Sequence, residues 1–239
     1  MNWNDLCRDG HQPAAVLLDM DGTLIDSMGM WYDIDVEFCR RHGIEMPATL
    51  QQEIEGLSFY ETALFFIRRF SLTNRAFPKV TDRGADPDDR VAPEVLMAEW
   101  TEMAEDYYEK KVHLKPFVRE FLDKCKSRGI ALGIATSNAG KLAQAALDAN
   151  QVSDYFQAVL TSEEVPKGKP APDIYQKLAQ MLGAEPGSCV VFEDLIPGLI
   201  AAKAAGMRCV AVEDDYSAKD REEKREMADQ YLDSFSDLL

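Results

Sequence analysis

The run Val16-Leu17-Leu18-Asp19-Met20-Asp21-Gly22-Thr23-Leu24 sets two carboxylates two residues apart at the end of an apolar stretch. Acids this close repel unless something compensates. A divalent cation does so, and hard oxygen ligands suit Mg2+. Alternatively one acid keeps its proton, which yields a nucleophile and a general acid from one residue type. An isolated Asp-x-Asp is common in turns. One that closes an apolar strand and runs into Gly22, where the chain turns, is a much stronger signal.

Three later clusters also fall where an apolar run stops. Residues 130–135 end in Thr136-Ser137-Asn138, which offer hydroxyl, amide and backbone N–H donors to phosphate oxygens. By itself that triplet also serves as a helix N-cap. Lys169 stands between glycine and proline in Lys167-Gly168-Lys169-Pro170-Ala171-Pro172-Asp173. A restrained backbone there could aim a point charge at a phosphate, although alone it reads as a solvated loop lysine. Residues 189–192 end in Glu193-Asp194, followed by Pro197-Gly198. The acid pair could complete a metal site or cap a helix.

Something must bring these four clusters together. The continuous apolar runs 14–18, 130–135, 189–192 and 209–212 read as strands of a parallel sheet covered on both faces. Helical patterns at 116–128, 141–149, 172–182 and 197–205 lie between them, three of them ending at Gly129, Gly183 and Gly206. Strand–helix alternation predicts an α/β, doubly wound, Rossmann-like parallel sheet core. In such sheets ligands bind outside the carboxyl ends of the strands, where Asp19 would sit.

Residues 27–111 break the alternation and read as helical. Trp31, Ile34 and Phe38 share a face, as do Leu96, Trp100, Met103 and Tyr107, and Ser58 with Glu61 forms a capping box. Core packing is the ordinary role of such aromatics. The expected organisation is therefore a core domain of residues 1–26 and 112–239 with an inserted helical domain, 27–111. Within the insertion, residues 73–92 carry no periodicity, and unpatterned loops of that length are usually functional or disordered.

The 239-residue chain carries 42 acidic and 26 basic residues, a formal net charge of −16. That excludes nucleic acid and anionic membranes as expected partners, since both require a basic surface. An anionic small molecule remains compatible, because a bound cation reverses the local field. No apolar run approaches the roughly 20 residues of a membrane span, and residues 1–13 lack the apolar stretch of an export signal. The five cysteines, Cys7, Cys39, Cys125, Cys189 and Cys209, contain no Cys-x-x-Cys pair. Free thiols, a cytoplasmic location and a monomeric state are expected.

In order, the four clusters resemble the four motifs of the haloacid dehalogenase superfamily. The tails agree as well: Asp19-Met20-Asp21-Gly22-Thr23-Leu24-Ile25-Asp26-Ser27, Lys169-Pro170-Ala171-Pro172-Asp173, and Phe192-Glu193-Asp194-Leu195-Ile196-Pro197-Gly198. The resemblance covers residues 14–26 and 112 to the C-terminus, and the insertion resembles that superfamily's type-1 cap. Within the superfamily the chain looks closest to the branch of β-phosphoglucomutase and many sugar-phosphate phosphatases.

The resemblance implies that Asp19 attacks phosphorus and forms an aspartyl-phosphate, and that Asp21 is the general acid and then the base. Thr136 would bind the transferring phosphoryl group, and Lys169 would neutralise charge and hold Asp19. Mg2+ would be ligated by Asp19, the backbone carbonyl of Asp21 and Asp194, with Glu193 a further ligand or a support for one. Gly22, Ser137 and Asn138 are candidate phosphate contacts; Trp31, Ser58 and Tyr60 are candidate substrate contacts from the insertion. The implied activity is a phosphatase acting on a small phosphorylated metabolite such as a sugar or polyol phosphate.

A hexose-phosphate mutase is the alternative. The mutase pattern has an arginine near residues 55–60 and a histidine where Trp31 stands, and this chain has neither. Dehalogenases lack the second acid, Asp21. A phosphonatase needs a lysine in its cap, and residues 29–69 contain none. Arg68 and Arg69 read as a solvated helix end. A phospho-receiver would be shorter and would have no insertion after its first strand. A degenerate pseudo-enzyme is disfavoured because every matched catalytic position is filled.

Overall fold

In the computed structural model, which describes residues 2–6 and 10–239, the first apolar run becomes β1 (Ala15–Leu18), with all four side chains buried. Five helices follow before the alternation resumes: α1 (Met28–Arg41), α2 (Leu50–Ile54), α3 (Phe59–Arg69), α4 (Pro78–Thr81) and α5 (Pro93–Lys110). The alternation then runs through α6 (Val118–Ser127), β2 (Ala131–Thr136), α7 (Gly140–Ala149), β3 (Ala158–Thr161), α8 (Asp173–Met181) and β4 (Cys189–Glu193). It ends with α9 (Ile196–Ala204), β5 (Arg208–Val212), α10 (Arg221–Met227) and β6 (Gln230–Leu232). In space the order is β3-β2-β1-β4-β5-β6, with every neighbouring pair parallel.

The doubly wound α/β sheet matches the expectation, and the four expected strands are all present. β3 and β6 were not expected. They are four and three residues long and lie at the two edges of the sheet. So short a run carries little apolar signal, and pairing with β2 and β5 makes each a strand. One apolar cluster covers each face of the sheet, as parallel strands require. Cys39, Cys125, Cys189 and Cys209 are buried free thiols; Cys7 lies outside the described residues. Among those residues no helix is long and apolar enough to cross a membrane.

The inserted helices pack around aromatic side chains. Trp100 lies 5.2 Å from Phe38 and 5.0 Å from Phe66, ring centre to ring centre. The apolar cluster on this side runs unbroken from these rings to the sheet, and α5 lies against α7. Residues 73–92 are neither a lid edge over the cavity described below nor a structureless loop. Thr73 bridges Arg90, and the backbone N–H groups of Asn74 and Arg75 donate to Asp89 and Pro87 at 2.9 and 2.8 Å. Phe77 is buried, its ring 4.4 Å from that of His42. Local hydrogen bonds and one apolar anchor order a stretch whose side-chain pattern has no period.

Candidate active site

Because β1 lies between β2 and β4, the carboxyl ends of three strands converge. Asp19 follows β1, and its N–H donates to the Phe192 carbonyl at 3.0 Å. Thr136 is the last residue of β2, and Glu193 the last of β4 with Asp194 next. Lys169 reaches in from the loop before α8 and is buried, not solvated. Its Nζ donates to Asp19 Oδ1 at 2.5 Å and to the Ala135 carbonyl at 3.0 Å, and it pairs with Glu193. Tyr175 Oη also donates to Glu193, at 2.5 Å.

Burial pushes the Asp19 carboxyl well above its usual range; the Glu193 charge adds to this, and Lys169 opposes it. Burial alone would lower Lys169, but Asp19 and Glu193 outweigh it and keep the ammonium charged. Asp194 is pushed up to about 8, first by burial and then by Glu193. Its Oδ1 accepts from Thr23 Oγ1 at 3.0 Å, while its buried Oδ2 has no hydrogen-bond partner. Gly22, at φ +80°, leaves that oxygen its space: a Cβ there would run into the Asp194 carboxylate.

Asp19, Glu193 and Asp194 each offer an oxygen within 4.8 Å of the others. Three buried acids, one orphaned oxygen and an all-oxygen donor set fit a hard divalent cation such as Mg2+. Glu193 already accepts from Lys169 and Tyr175. It is therefore better placed to support the cluster than to be its chief ligand.

Asp21 is held by three donors. Ser27 Oγ donates to Oδ1 at 2.6 Å, Tyr108 Oη also donates to Oδ1, and Asn138 Nδ2 donates to Oδ2 at 3.1 Å. Tyr108 Oη itself accepts from Trp31 Nε1 at 2.8 Å and from Asn138 Nδ2 at 2.7 Å. Burial first, and then the Asp21 charge, raise the Tyr108 phenol well above its ordinary value, so it stays a neutral donor. Asn138 therefore turns to Asp21 and does not cap α7, whose first turn has no side-chain cap. Thr136 Oγ1 accepts the Asn138 N–H at 3.0 Å, and the Ser137 carbonyl accepts the Phe59 N–H at 3.2 Å.

Above these groups lies a cavity of about 460 Å³. Its floor includes Asp19, Asp21, Thr136, Ser137, Asn138 and Lys169. The helical segment supplies walls that include Trp31, Tyr32, Asp35, Gln51, Glu55 and Phe59. Ser58 and Tyr60, expected as substrate contacts, do not line it. Ser58 is spent on its capping box with Glu61, and Tyr60 points to solvent at 41% exposure. Glu55, Gly56 and Leu57, in the connection after α2, and Phe59, the first residue of α3, line the cavity, while Tyr60, one position further round α3, points elsewhere. Gly22 does not line it either. Arg68 and Arg69 are exposed, as expected.

Sequence reasoning missed Tyr108, Ser27, Tyr175 and Asp35. Helical spacing in the sequence predicts the stripe Leu96, Trp100, Met103, Tyr107 on α5. The buried row is Leu96, Trp100, Ala104, Tyr108. Spacings of three and four both satisfy a helical face, and Tyr108 at i+4 from Ala104 was the available signal.

The family model described as haloacid dehalogenase-like hydrolase matches residues 16–212. The chain belongs to this family. Among relatives of the hydrolase, hexitol phosphatase B of Escherichia coli K12 is 30% identical over 207 residues, 84% of each chain. The phosphorylated carbohydrates phosphatase of Thermotoga maritima is 28% identical over 193 residues, covering 81% of this hydrolase and 82% of that protein. The crystal structure of CbbY from Rhodobacter sphaeroides in complex with phosphate superimposes with a TM-score of 0.76 at 25% identity, over 94% of this chain and 96% of that one. The hydrolase is thus an enzyme of a family whose named relatives include phosphatases.

Proposed function

We propose that this hydrolase is a Mg2+-dependent phosphatase of a small phosphorylated metabolite, a sugar or polyol phosphate, working through an aspartyl-phosphate. The observation that carries the reading is the Lys169 ammonium held between Asp19 and Glu193 beneath the cavity. A cation there favours the ionised form of a buried nucleophile and meets the charge of an incoming phosphoryl group.

In the first half-reaction an Asp19 oxygen bonds to phosphorus, the bond from phosphorus to the leaving oxygen breaks, and Asp21 gives that oxygen its proton. In the second, Asp21 takes a proton from water as the water oxygen bonds to phosphorus. The bond from phosphorus to Asp19 then breaks and inorganic phosphate leaves. Asp19, Asp194 and the Asp21 carbonyl would hold Mg2+, which neutralises phosphoryl charge when bound. Thr136 and the N–H groups beside it bind the phosphoryl oxygens. The helical segment 27–111 acts as a cap that shields the site from bulk water.

The mutase reading has less support. Among the residues lining the cavity the helical segment contributes no arginine or histidine to hold a second phosphate. The relatives named for hexitols and phosphorylated carbohydrates favour a substrate of that kind.

The test is release of inorganic phosphate from a panel of phosphorylated sugars, polyols, nucleotides and acids. Asp19→Asn should lower turnover by at least about 10⁴. EDTA should abolish activity and Mg2+ restore it, and Asp194→Ala should raise the Mg2+ requirement. An Asp19→Asn variant with a tenth of the wild-type rate, or full activity in EDTA, ends this reading.

A further inference from the structure

The part of the cavity away from the phosphoryl site has a charge pattern of its own. The helical segment contributes two charged residues to its lining, Asp35 and Glu55, and both are acids. Of the two cations in the lining, Lys169 is committed to Asp19 and Glu193. The other, Lys219, pairs with Glu55 at 3.2 Å and Asp220 at 3.7 Å. A second phosphate or a carboxylate on the leaving group would therefore meet acids and no uncommitted cation.

Asp35 is the more informative of the two acids. It is 7% exposed, on the face of α1 that turns inward. Gln51 Nε2 from α2 donates to its Oδ2 at 2.7 Å. Among the described residues nothing donates to Oδ1. A buried carboxylate with one oxygen fixed and one open is an acceptor waiting for a donor. Apolar side chains line the same cavity, including Trp31, Ile54, Leu57 and Phe59, which suit the C–H faces of a carbohydrate.

We infer that Asp35, oriented by Gln51, reads a hydroxyl of the leaving group, and that this group is a polyol carrying neither a second phosphate nor a carboxylate. The inference rests on the phosphatase reading and deepens it. Nothing in the phosphoryl chemistry requires Asp35. A site that presents a buried polar group to a substrate hydroxyl rejects ligands that lack the hydroxyl, and a buried anion rejects ligands that bring a like charge.

The experiment measures kcat/KM of the Mg2+-loaded protein by phosphate release from four compounds. Sorbitol 6-phosphate has the uncharged chain, 6-phosphogluconate ends that chain in a carboxylate, glucosamine 6-phosphate adds an ammonium, and acetyl phosphate has no hydroxyl to read. Sorbitol 6-phosphate should exceed 6-phosphogluconate by at least about tenfold, while glucosamine 6-phosphate, whose ammonium the acids accept, should not be excluded. In Asp35→Asn the ratio of sorbitol 6-phosphate to acetyl phosphate should fall at least about fivefold, and the gap to 6-phosphogluconate should narrow.

Gln51→Ala should move both ratios the same way, and it decides the matter together with the wild-type ranking should Asp35→Asn not fold. A smaller fall in both variants overturns the inference. So does a wild-type preference for 6-phosphogluconate over sorbitol 6-phosphate. If wild type hydrolyses none of the four while properly folded, the phosphatase reading fails instead.

Discussion

In the proposed mechanism Asp21 gives and then takes a proton at one place, so its carboxyl has to be aimed. Tyr108 aims it from α5, and Trp31 and Asn138 in turn hold the Tyr108 hydroxyl. Tyr108→Phe keeps the ring and removes only that hydroxyl. The expected result is a fall in kcat of about 10- to 100-fold, within the range of general acid–base effects, with a smaller change in KM. Unchanged kcat would show that Ser27 and Asn138 suffice to position Asp21.

Asp35 supplies a test in stability. Burial raises its carboxyl from 3.8 to about 6, against the pull of the Gln51 hydrogen bond. A raised carboxyl means the folded state binds more protons than the unfolded one between about pH 4 and 6. Stability is therefore lost as pH rises through that window, by on the order of 2–3 kcal/mol in full. Asp35→Asn should raise Tm at pH 7.5 and lose that advantage near pH 4. A variant less stable than wild type at both pH values contradicts this account. An acid kept in place at that cost is what a recognition role explains.

At the scale of elements, α3 shows how a residue with a chemical look can be wholly structural. Ser58 and Glu61 exchange side-chain and backbone hydrogen bonds at its first turn, satisfying donors the helix would otherwise leave open. This fixes where α3 begins, and the N–H of Phe59, its first residue, donates to the Ser137 carbonyl at the end of β2. The capping box thus ties the helical segment to the phosphoryl side of the site. Ser58→Ala should cost about 1 kcal/mol, a fall in Tm of roughly 2–4 °C for a chain of this length. A calorimetric scan checks this, and a variant as stable as wild type would mean the box contributes nothing.

Over the whole molecule, the two functions of the site come from different parts of the chain. In the proposed reading the sheet supplies the phosphoryl chemistry through three strand ends, and the segment between β1 and α6 supplies most of the cavity's walls. Residues 73–92 belong to that segment but line no part of the cavity. Their contribution is packing, through Phe77 against Phe38 and His42. Replacing residues 78–88 with a short Gly/Ser linker should leave the order of substrates by kcat/KM intact across the metabolite panel. A reordered ranking would assign the loop a part in recognition that its position does not suggest.

The catalytic layer was legible in the sequence because it is local. Asp19, Thr136, Glu193 and Asp194 each stand at or just beyond the end of an apolar run, and a parallel sheet brings such ends to one edge by topology alone. Lys169 was legible only through the family resemblance, since its setting between glycine and proline alone reads as a solvated loop lysine, and only the folded chain shows it buried between two acids. The edge strands β3 and β6 were not legible, since three or four residues become a strand through the partner they pair with.

The grip of Tyr108 on Asp21 spans 87 positions, and Gln51 meets Asp35 across two helices whose relative placement no short-range pattern encodes. Chemistry set by consecutive residues is written along the chain. Recognition here is assembled from side chains on separate helices, so it exists only once those helices have packed.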